Sequence, residues 1–565
     1  MDVKLELISI DTQGKWMRHT PNSKPIPIDV VGSSTFGIFP KISSSLAQNL
    51  FQSDDWLIGF PGYQKVVQLL EQGGQGRGLF RSFRANIMVA VVNSIVYRID
   101  ANLGVLPIGN LETQFGEVSI DENLNNQICI VDGLNAYIYN TTLPPDLTVQ
   151  SGGPFAGTPP ALIPNYVAFH NGYFLFGNAL QGTAGAAWYA FIYASATTIS
   201  PAQSNGTDAV FSISTKPDYA VAVQRIPGQS NNVLVFGTSV CEVHTNVQDT
   251  QIYRKNSSIS VDYGCLSVST ISSSDNYIVW LGVNETNAPA IMIYTTSGPE
   301  SISTDGIDHI MGQIKFPAQS TAMFTWKEGH LFYILTFFNP ADNLTLAYDF
   351  TEKKFLNLTD GDNNYFPARQ MVYFNQESYF ININNGCIYN FDTELTVYND
   401  NIPNSPNLLP SEKVPDDPRL IQTIPRVRVT STVRAPDTAP FRANSFTFAI
   451  DMGNDNIPAQ QDCITLLIAE DGTRLFSEDG IQLVPEGGGS DDCPSYQYQG
   501  AIDMAFSKDG GETWSNYVRK YTNPVGYRQN ILRWQNMGKC NEFTIKLRFW
   551  TWGRVVIYNG VLEIF

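Results

Sequence analysis

The stretch Tyr166-Val167-Ala168-Phe169-His170-Asn171-Gly172-Tyr173-Phe174-Leu175-Phe176 contains two apolar, aromatic-rich runs separated by an Asn-Gly pair. Asn-Gly favours the two-residue turn of a β-hairpin, because both residues tolerate a positive φ. The β-branched and aromatic residues on either side favour strands. The stretch therefore predicts a hairpin, and it is the unit that much of the chain repeats.

Seven such units occur along the chain. Each has an apolar run, a turn rich in Asn, Gly or Ser, and a second run that commonly ends in an aromatic residue. The units start at Ile87, Ile128, Val167, Val233, Tyr277, Leu331 and Tyr379. The separations of 41, 39, 66, 44, 54 and 48 residues are typical of a propeller with one four-stranded blade per repeat. We predict six to eight divergent blades, with an array of β-sandwiches as the alternative.

Changes of composition predict four segments. Residues 1–60 are irregular and predict an N-terminal arm with a closing strand, and residues 61–393 hold the propeller repeats. Prolines at 403, 406, 410, 415, 418 and 425 mark residues 394–425 as a linker. Residues 426–565 alternate with period two in three runs, which predicts a C-terminal β-sandwich with an acidic, glycine-rich loop near 486–492. The expected fold class is all-β, a divergent β-propeller followed by a β-sandwich.

Composition agrees with this fold and limits the function. A chain of 565 residues exceeds one usual core, and its 12% aromatic content with 44 Gly and 32 Pro suits short strands joined by turns. The net charge of −18 argues against a surface that holds DNA by neutralising phosphates. Such a charge is compatible with a protein that lets DNA pass.

The cysteines and the N-terminus predict the cellular compartment. Seven cysteines are scattered with no C-x-x-C pair, which indicates reduced, buried thiols and no disulfide framework or zinc site; Cys463 and Cys493 are the pair that could meet across neighbouring strands. Residues 1–6 lack the basic and apolar regions of a signal peptide, and no later run approaches a membrane span. We expect a soluble chain that is not exported.

Residues with catalytic or metal-binding potential are sparse. The five histidines, at 19, 170, 244, 309 and 330, are far apart and show no metal-ligand spacing. The run Gly73–Gly78 resembles a phosphate-binding loop, but no helix follows, so a turn is expected. Asp54-Asp55 and Asp491-Asp492 are expected to be solvated loop charges and not a cation site. We predict no catalytic, cofactor-binding or metal-binding residues and no cofactor.

One local motif is complete. Residues 507–514 fit the pattern S-x-D-x-G-x-T-W, called an Asp box, at every fixed position: Ser507, Asp509, Gly511, Thr513 and Trp514. Gly510 and Gly511 permit a tight turn, the Asp509 carboxylate can accept turn amides, and Trp514 is expected to pack beneath. The motif predicts a structural hairpin lock and not a catalytic site.

A series of short segments, in order, resembles the packaged-DNA stabilisation proteins of short-tailed bacteriophages (podoviruses), which are tail hub or nozzle proteins. The segments are Gly59 to Lys65 followed by Arg77-Gly78-Leu79 and Val96-Tyr97-Arg98, Pro217-Asp218-Tyr219 followed by Asn232 to Val243, Phe448 to Gly453, Ser507 to Trp514, and Arg533 to Gly538. The signature positions are Gly59, Phe60, Pro61, Gly62, Phe236, Gly237, Trp534 and Gly538. The chain departs from the family pattern at Gln535-Asn536 and Asn541, where basic residues are usual.

The resemblance implies a structural virion protein and not an enzyme. Such a hub, a homo-oligomer of six copies in a ring, attaches below the head-to-tail adaptor on the portal and lines the DNA exit channel. It helps to retain the packaged genome, anchors the tail needle, fibres or spikes, and lets double-stranded DNA pass without sequence-specific binding. The implied location is the virion tail, after synthesis and assembly in the host cytoplasm, with no membrane anchor.

Two alternatives come from other functional classes. A sialidase-like glycoside hydrolase also combines Asp boxes with a propeller, and it would need an arginine cluster and a tyrosine nucleophile with an acidic partner. Here the complete Asp box lies outside the repeats, which argues against that class. A host-binding tail protein with a carbohydrate-recognition propeller is the other alternative.

Overall fold

The computed structural model describes residues 8–10, 16–18, 24–36, 45–70, 73–179, 187–400, 421–434, 439–452, 500–522, 529–551 and 553–564. Two units account for the chain. The propeller unit comprises residues 34–44 and 61–422, and the C-terminal unit comprises residues 1–33, 45–60 and 423–565.

Seven sheets, which we call blades 1 to 7, contain most of the described strands of the propeller unit, and they are antiparallel apart from one parallel pair in blade 7. Blade 1 contains Gly76–Ser82, Ile87–Val92, Ile95–Ile99 and Val105–Asn110. Blade 2 contains Ser119–Glu122, Gln127–Val131, Ala136–Asn140 and Leu147–Val149. Blade 3 contains Pro164–His170, Tyr173–Asn178, Ala187–Ser195, Thr198–Pro201 and Val210–Ser212, and a two-stranded ribbon pairs Gln203–Ser204 with Thr207–Asp208.

The remaining blades repeat the same plan. Blade 4 contains Ala222–Arg225, Asn232–Phe236, Cys241–Asn246 and Tyr253–Val261. Blade 5 contains Gly264–Cys265, Ser272–Ser273, Ile278–Val283, Pro289–Thr295 and Gly298–Ser301. Blade 6 contains Ser320–Lys327, His330–Phe337, Leu344–Asp349 and Lys354–Asn357. Blade 7 contains Ala368–Phe374, Glu377–Asn382, Ile388–Asp392, Gly62–Val67 and Val397–Asn399.

The predicted hairpins are confirmed as the cores of these blades. In the hairpin of blade 3, His170 pairs with Tyr173, and the turn residues Asn171 and Gly172 have φ of 50° and 87°. Two positive φ values match the type I′ turn that joins twisted strands without splaying them. The seven predicted units fall one in each blade, so the all-β propeller is confirmed and its blade number lies inside the predicted range.

Neighbouring blades pack face to face through apolar side chains. Met88 and Val92 of blade 1 share a buried cluster with Val67, Ile381 and Ile388 of blade 7. The other face of blade 1 packs on blade 2 in the same way, with strand Ile87–Val92 completely buried. A strand buried on both faces reads as a continuous apolar run and not as an alternating one, which explains the sequence of this strand.

The first strands of the blades follow one another around a central axis. The first strands of blades 1 to 4 lie beside one another in order, as do those of blades 6, 7 and 1, where Ala368–Phe374 contacts Gly76–Ser82. In blade 5 the inner strand is Ser272–Ser273, which contacts Ser320–Lys327 of blade 6. Between blades 4 and 5 the link is a hydrogen bond from Gln224 Nε2 to Ser273 Oγ (2.8 Å). The inner strands thus surround one central cavity.

The last blade contains the strand that precedes the first blade. Gly62–Val67 pairs antiparallel with Ile388–Asp392 and parallel with Val397–Asn399. We expected the closing strand within residues 1–60, whereas the strand that completes blade 7 begins at Gly62. Pairing between segments so far apart in sequence leaves no local signal.

Two large sheets form most of the described part of the C-terminal unit. Sheet A contains Leu50–Ser53, Trp56–Gly59, Val555–Ile564, Phe441–Met452, Gln529–Cys540 and Lys24–Ile28. Sheet B contains Leu46–Gln48, Arg426–Val429, Glu542–Trp550, Ala501–Ser507, Val518–Tyr521 and Val433–Arg434. Side chains from both sheets share one apolar core. A sandwich remains our interpretation of this arrangement, and the predicted loop at 486–492 lies outside the described residues.

The N-terminal residues join this unit through a buried arginine. Arg428 is 2% exposed and donates to the carbonyl oxygens of Val30 (2.7 Å), Ser33 (3.0 Å), Leu46 (3.2 Å) and Asp29 (3.2 Å). A guanidinium with its donors satisfied by four carbonyls fixes the path of the backbone around it. The segment that we expected to be an arm therefore belongs to a compact unit, and the predicted boundaries of the four segments are otherwise untested; residues 401–420 of the predicted linker lie outside the described residues.

The other described elements are short. They are the 3₁₀ turns Gly153–Phe155 and Val268–Thr270, the helix Asp305–Met311, the paired strands Ile8–Ile10 and Trp16–Arg18, and the strand Ile421–Thr423. No helix in the described ranges has the length and apolar character needed to cross a membrane. The five cysteines that the structure describes, at 129, 241, 265, 387 and 540, are buried free thiols.

Candidate functional site

The central cavity of the propeller has a volume of about 700 Å³. All seven inner strands or the loops beside them contribute to its wall, including polar residues at Glu117, Asp121, Tyr166, Gln224 and Arg225. The volume falls in the range of small-molecule sites. We predicted no functional residues here, and the cavity is a concave, partly polar feature at the centre of the propeller unit.

A carboxylate of the cavity wall, Glu117, pairs with a buried arginine behind the wall. Glu117 Oε2 is 3.4 Å from Nη1 of Arg369, whose side chain is 1% exposed and lies over the ring of Phe338. Burial raises the pKa of Glu117 to about 7 against the opposing charge of Arg369. Nε and Nη2 of Arg369 have no hydrogen-bond partner among the described residues. This corner of the cavity is therefore desolvated and incompletely paired.

A second carboxylate lies between blades 2 and 3. Asp121 Oδ2 accepts a hydrogen bond from the Phe169 amide (2.7 Å), so that it links the two blades. Burial raises the pKa of Asp121 to about 6, while the charge of Arg225 opposes the rise. Burial raises the pKa of the Tyr166 phenol, and the negative charges of Asp121 and Glu117 raise it further.

These groups do not form the site that a sialidase requires. Among the described residues, the cavity wall contains one arginine, Arg225, and not an arginine cluster. A nucleophilic tyrosine needs help to lose its proton, and the environment of Tyr166 works in the opposite direction. The arrangement therefore gives no support to the hydrolase alternative.

Two buried carboxylates in blade 4, Asp218 and Glu242, hold neighbouring loops in place by accepting hydrogen bonds from them. Both oxygens of Asp218 accept hydrogen bonds, from Thr238 Oγ1 (2.6 Å), the Ser239 amide (2.7 Å) and the Val240 amide (3.2 Å), among others. Burial alone would raise the pKa of Asp218, but the hydrogen bonds from Thr238 and Ser239 outweigh it and lower the pKa. The loop at Gly237 to Val240, which carries part of the family signature, is thus built around this carboxylate.

Glu242 is the second of these carboxylates. It is 0% exposed and accepts from the Thr215 amide (2.5 Å) and from His244 Nε2 (3.2 Å), and Lys255 Nζ lies 3.1 Å away. Burial would raise its pKa, but the hydrogen bonds from His244 and Thr215 hold the pKa well below the usual range. The pairing is internal to the blade and leaves no open coordination position.

The four described histidines lie apart. His170 contacts Tyr253 OH (2.8 Å), His244 contacts Glu242, His309 is exposed on the helix Asp305–Met311, and His330 contacts Asp349 (2.7 Å); His19 lies outside the described residues. Within the described ranges, no group of three His, Cys, Asp or Glu side chains could hold a metal ion. Asp54 is in a turn with φ of 51°, Asp491 and Asp492 lie outside the described residues, and Gly73–Gly78 leads into the first strand of blade 1.

The Asp box joins two strands of sheet B, Ala501–Ser507 and Val518–Tyr521. Asp509 accepts hydrogen bonds from Ser507 Oγ (2.6 Å), the Thr513 amide (3.0 Å) and Thr513 Oγ1 (2.5 Å), and Ser507 Oγ accepts from the Gly511 amide (2.8 Å). Gly510 and Gly511 have φ of 73° and 104°. Trp514 is half-buried, with Lys546 Nζ 5.4 Å from its ring centre. The geometry is that of a closed turn, and the carboxylate is committed to it.

The N-terminal signature residues lie where the chain passes from one unit to the other. A Cβ on Gly59 would be 2.6 Å from Arg426 Nε, and the Phe60 amide donates to the Asn49 carbonyl (2.9 Å) in the same unit. Pro61 and Gly62 follow in the propeller unit, where a Cβ on Gly62 would be 2.2 Å from the Val397 oxygen. Close backbone approach therefore requires glycine at Gly62, whereas at Gly59 the space for a Cβ is taken by the buried Arg426 side chain.

The other signature residues have packing or turn positions. Phe236 is buried edge-on against Trp280 (5.3 Å between centroids), and a Cβ on Gly237 would be 2.5 Å from Asp218 Oδ2. Trp534 is 2% exposed and donates to the Val518 carbonyl (3.0 Å), and Gly538 has φ of 86°. Gln535, Asn536 and Asn541, which replace the family's basic residues, are exposed.

The cavity residues of blade 2 leave no periodic signal in the sequence, because the inner strand that holds them is short and polar. Ser119–Glu122 is a four-residue strand with no apolar alternation, and every residue in it is partly exposed. The periodicity that found the second and third strands of each blade cannot detect such an inner strand. The signal that does point to Asp121 is its position in the segment before the hairpin of blade 2, where each four-stranded blade needs an inner strand.

Comparison with known families gives one match that covers most of the propeller unit. A family described as bacteriophage P22 Gp10, beta-propeller, matches residues 41–396. No curated protein matches the chain by sequence.

Solved propeller structures resemble the chain only distantly. A streptogramin B lyase has a TM-score of 0.37 at 11% identity, covering 57% of this chain and 95% of the other. A catalytically inactive virginiamycin B lyase from Staphylococcus aureus with quinupristin has a TM-score of 0.38 at 10% identity, with coverages of 58% and 98%. The WD40 propeller domain of Doa1 has a TM-score of 0.35 at 9% identity, with coverages of 59% and 98%. At these identities the likeness says nothing about the activity of this chain.

Proposed function

The chain belongs to the family described as bacteriophage P22 Gp10, beta-propeller, and from that premise we propose that it is the tail hub, or nozzle, of a short-tailed phage. Family membership makes it a structural phage protein. The observation that carries the finer proposal is the match over residues 41–396, the part of the chain that contains the seven blades. In the proposed role the hub attaches below the head-to-tail adaptor, lines the DNA exit channel and anchors distal tail parts.

Charge supports a channel role. The propeller unit contains 31 acidic and 17 basic residues, so it carries −14 of the net charge of −18. Acidic walls repel phosphates, and DNA can then slide without being held by counterion release. The central cavity of one propeller has the size of a small-molecule site, so the proposed DNA channel is a lumen shared by several copies.

A ring of copies needs a heterologous interface that closes, which gives cyclic symmetry. We expect the purified protein to be monomeric or weakly associated and to assemble into a hexamer on its adaptor. Mass photometry of the protein alone and with adaptor tests this order of assembly. Stable hexamers without any partner would contradict it.

Cryo-electron microscopy of the virion tail is the decisive experiment. The hub proposal expects this chain around the axis, directly below the adaptor and portal, with acidic side chains facing the lumen. A position at the distal tip, together with binding of the purified protein to host cells, would favour a carbohydrate-binding tail protein instead. A basic or neutral lumen would leave the hub position intact and remove the sliding mechanism.

The proposal excludes a sialidase activity. A fluorogenic sialoside assay on the purified protein should show no release above the buffer rate. Release that is lost on Tyr166→Phe substitution would establish the hydrolase alternative, because Tyr166 is the tyrosine beside the cavity carboxylates.

A further inference from the structure

Sheet B of the C-terminal unit presents a polar side away from its core. Across the three neighbouring strands Val518–Tyr521, Ala501–Ser507 and Glu542–Trp550, Ala501 lies opposite Tyr521 and Trp550, and Asp503 lies opposite Arg519 and Arg548. Residues directly opposite in a sheet point to the same side. The alternate residues of the same strands, such as Met504, Leu547 and Phe549, belong to the apolar core, so this row points the other way.

We call this side the outer face. Its members on the three strands and the adjoining turn are Ala501, Asp503, Ala505, Trp514, Tyr517, Arg519, Tyr521, Lys546, Arg548 and Trp550. Tyr521 is 62% exposed, Trp550 is 43% exposed and Tyr517 is 38% exposed. The small side chains of Ala501 and Ala505 lie on the central strand, between taller side chains on the two flanking strands. The outer face is therefore a shallow trough whose alanine floor is covered by the taller side chains, since Ala501 is 5% exposed and Ala505 is 0% exposed.

Cations and aromatic rings alternate along the sides of this trough. Arg548 Cζ is 4.3 Å from the ring centre of Tyr517, and Lys546 Nζ is 5.4 Å from that of Trp514. Arg519 Cζ is 6.0 Å from the ring centre of Trp550. Cation–π contact holds each pair together. The face thus offers ordered positive charges beside exposed aromatic rings, at row spacings of about 7 Å along each strand.

The carboxylates on these described strands of the outer face are already bound by arginines. Asp503 accepts from Arg519 Nε (2.7 Å) and Nη2 (2.8 Å) and from Trp550 Nε1 (2.8 Å). Glu542, farther along the strand, is paired with Arg434 (2.7 Å). These contacts fix Arg519 and Trp550 in place, and they leave few acceptors for the hydroxyl groups of a neutral sugar.

The charge of this region contrasts with the rest of the chain. Residues 500–565 contain nine basic and five acidic residues, although the whole chain carries −18. An anionic partner is therefore attracted to this end of the sequence and repelled by the propeller unit. The exposed rings of the outer face further favour a partner that has flat, unpaired groups able to stack on them.

We propose that the outer face of sheet B binds single-stranded nucleic acid, with bases stacked on Trp550 and Tyr521 and phosphates held by Arg548 and Lys546. Protein grooves in which cations follow the phosphate backbone and aromatic side chains stack on the bases bind single strands with little sequence preference. In a duplex the bases are stacked on each other and paired, so their faces cannot reach the rings. The proposal does not depend on the hub assignment.

Fluorescence anisotropy of the full-length protein with a labelled oligothymidylate tests the proposal. We expect binding that weakens with salt, because each phosphate contact releases counterions, and much weaker binding of a duplex of equal length. The double variant Lys546→Glu/Arg548→Glu should lose at least tenfold in affinity. Tyr521→Ser should lose about fivefold or more, since one stacked base is removed.

Arg533→Gln is the control for the loss of a cation outside the outer face. Arg533 is 48% exposed and paired with Glu563, and it lies on sheet A. The Arg533→Gln variant should bind the oligonucleotide as the wild type does, and all variants should keep the thermal unfolding midpoint of the wild type. The proposal would be overturned if duplex and single strand bound equally well, or if both outer-face variants kept the wild-type affinity. It would also be overturned if an acidic peptide or a sulfated glycan bound more tightly than the oligonucleotide and lost affinity equally in the variants.

Discussion

Tyr63 lies directly opposite Phe391 in an antiparallel strand pair, so the strand before blade 1 becomes part of blade 7. The Tyr63 ring also stacks on Tyr398, with the centroids 4.3 Å apart. The N-terminal strand is thus held on both sides within the propeller unit, by Ile388–Asp392 and by Val397–Asn399. A ring of blades that is joined at this point resists opening, because separating the blades requires breaking these pairs.

Gly62 is the position at which this junction is most easily tested. The substitution Gly62→Ala would place a Cβ 2.2 Å from the Val397 oxygen and 2.8 Å from its nitrogen. Backbone atoms cannot move aside cheaply, so we expect a loss of about 1–3 kcal/mol in the free energy of unfolding. Denaturant unfolding measures the loss, and hydrogen exchange should show faster opening of Gly62–Val67. Gly152→Ala, where nothing lies within 4 Å, should leave both unchanged.

Asp218 holds its loop through buried hydrogen bonds, so the substitution Asp218→Asn should be costly. Its Oδ1 accepts from the amides of Tyr219 (2.8 Å) and Thr238 (3.0 Å), and its Oδ2 accepts from three donors of Ser239 and Val240. The Asp218→Asn amide would turn a donor toward that second group, and unsatisfied buried donors make a cost of about 3 kcal/mol reasonable. Asp275→Asn, on an exposed loop, is the control in urea unfolding.

The pH dependence has a definite sign at this site. The folded-state pKa values of Asp218 and Glu242 are lowered. Their stabilising contribution is therefore complete above the unfolded pKa of about 4 and is lost as the pH falls below it. In Asp218→Asn the acid-induced loss of stability should be smaller than in the wild type. An identical acid transition in both proteins would contradict this account.

How far the sequence predicts this molecule can be judged at particular residues. Asn171-Gly172 and the apolar runs around it predict blade 3 because turn type and strand propensity are local properties. The pairing of Tyr63 with Phe391 is invisible locally, since it depends on the ring closing. Asp121 was missed because its four-residue strand has no apolar pattern. The Asp box was recognised whole, because its hydrogen bonds span only seven residues, from Ser507 to Thr513.

The Asp box should behave as a local lock. In Asp509→Ala the amide of Thr513 and its hydroxyl lose their acceptor, so we expect faster hydrogen exchange at Thr513 and at its neighbours in the turn. The hydrogen bonds from Ser507 and Thr513 lower the pKa of Asp509 in the closed turn, so the wild-type turn should also open more easily below about pH 4, where the opened turn takes up a proton that the closed turn does not. Asn516→Ala, just beyond the box, should leave the exchange of Thr513 unchanged. Equal exchange in the wild type and Asp509→Ala would mean that the glycines alone set the turn.

Glu117 should make the propeller more stable in mild acid than at neutral pH. Its folded-state pKa is about 7, whereas an unfolded glutamate titrates near about 4.3. Between these values the folded protein holds a proton that the unfolded chain has lost, so stability falls as the pH rises through this window. For one proton the slope is at most about 1.4 kcal/mol per pH unit.

Glu117→Gln removes this titration while keeping the shape of the side chain. The variant should be more stable than the wild type at pH 8 and similar to it at pH 5, because the carboxyl group of the wild type is then neutral as well. Urea unfolding at the two pH values measures the difference, and Glu300→Gln, at an exposed strand position, controls for the loss of one negative charge. If pairing with Arg369 (3.4 Å) kept Glu117 charged instead, the substitution would leave a buried guanidinium without its counter-ion and would destabilise the protein at both pH values. The sign of the effect at pH 8 therefore decides whether desolvation or the ion pair governs this corner of the cavity.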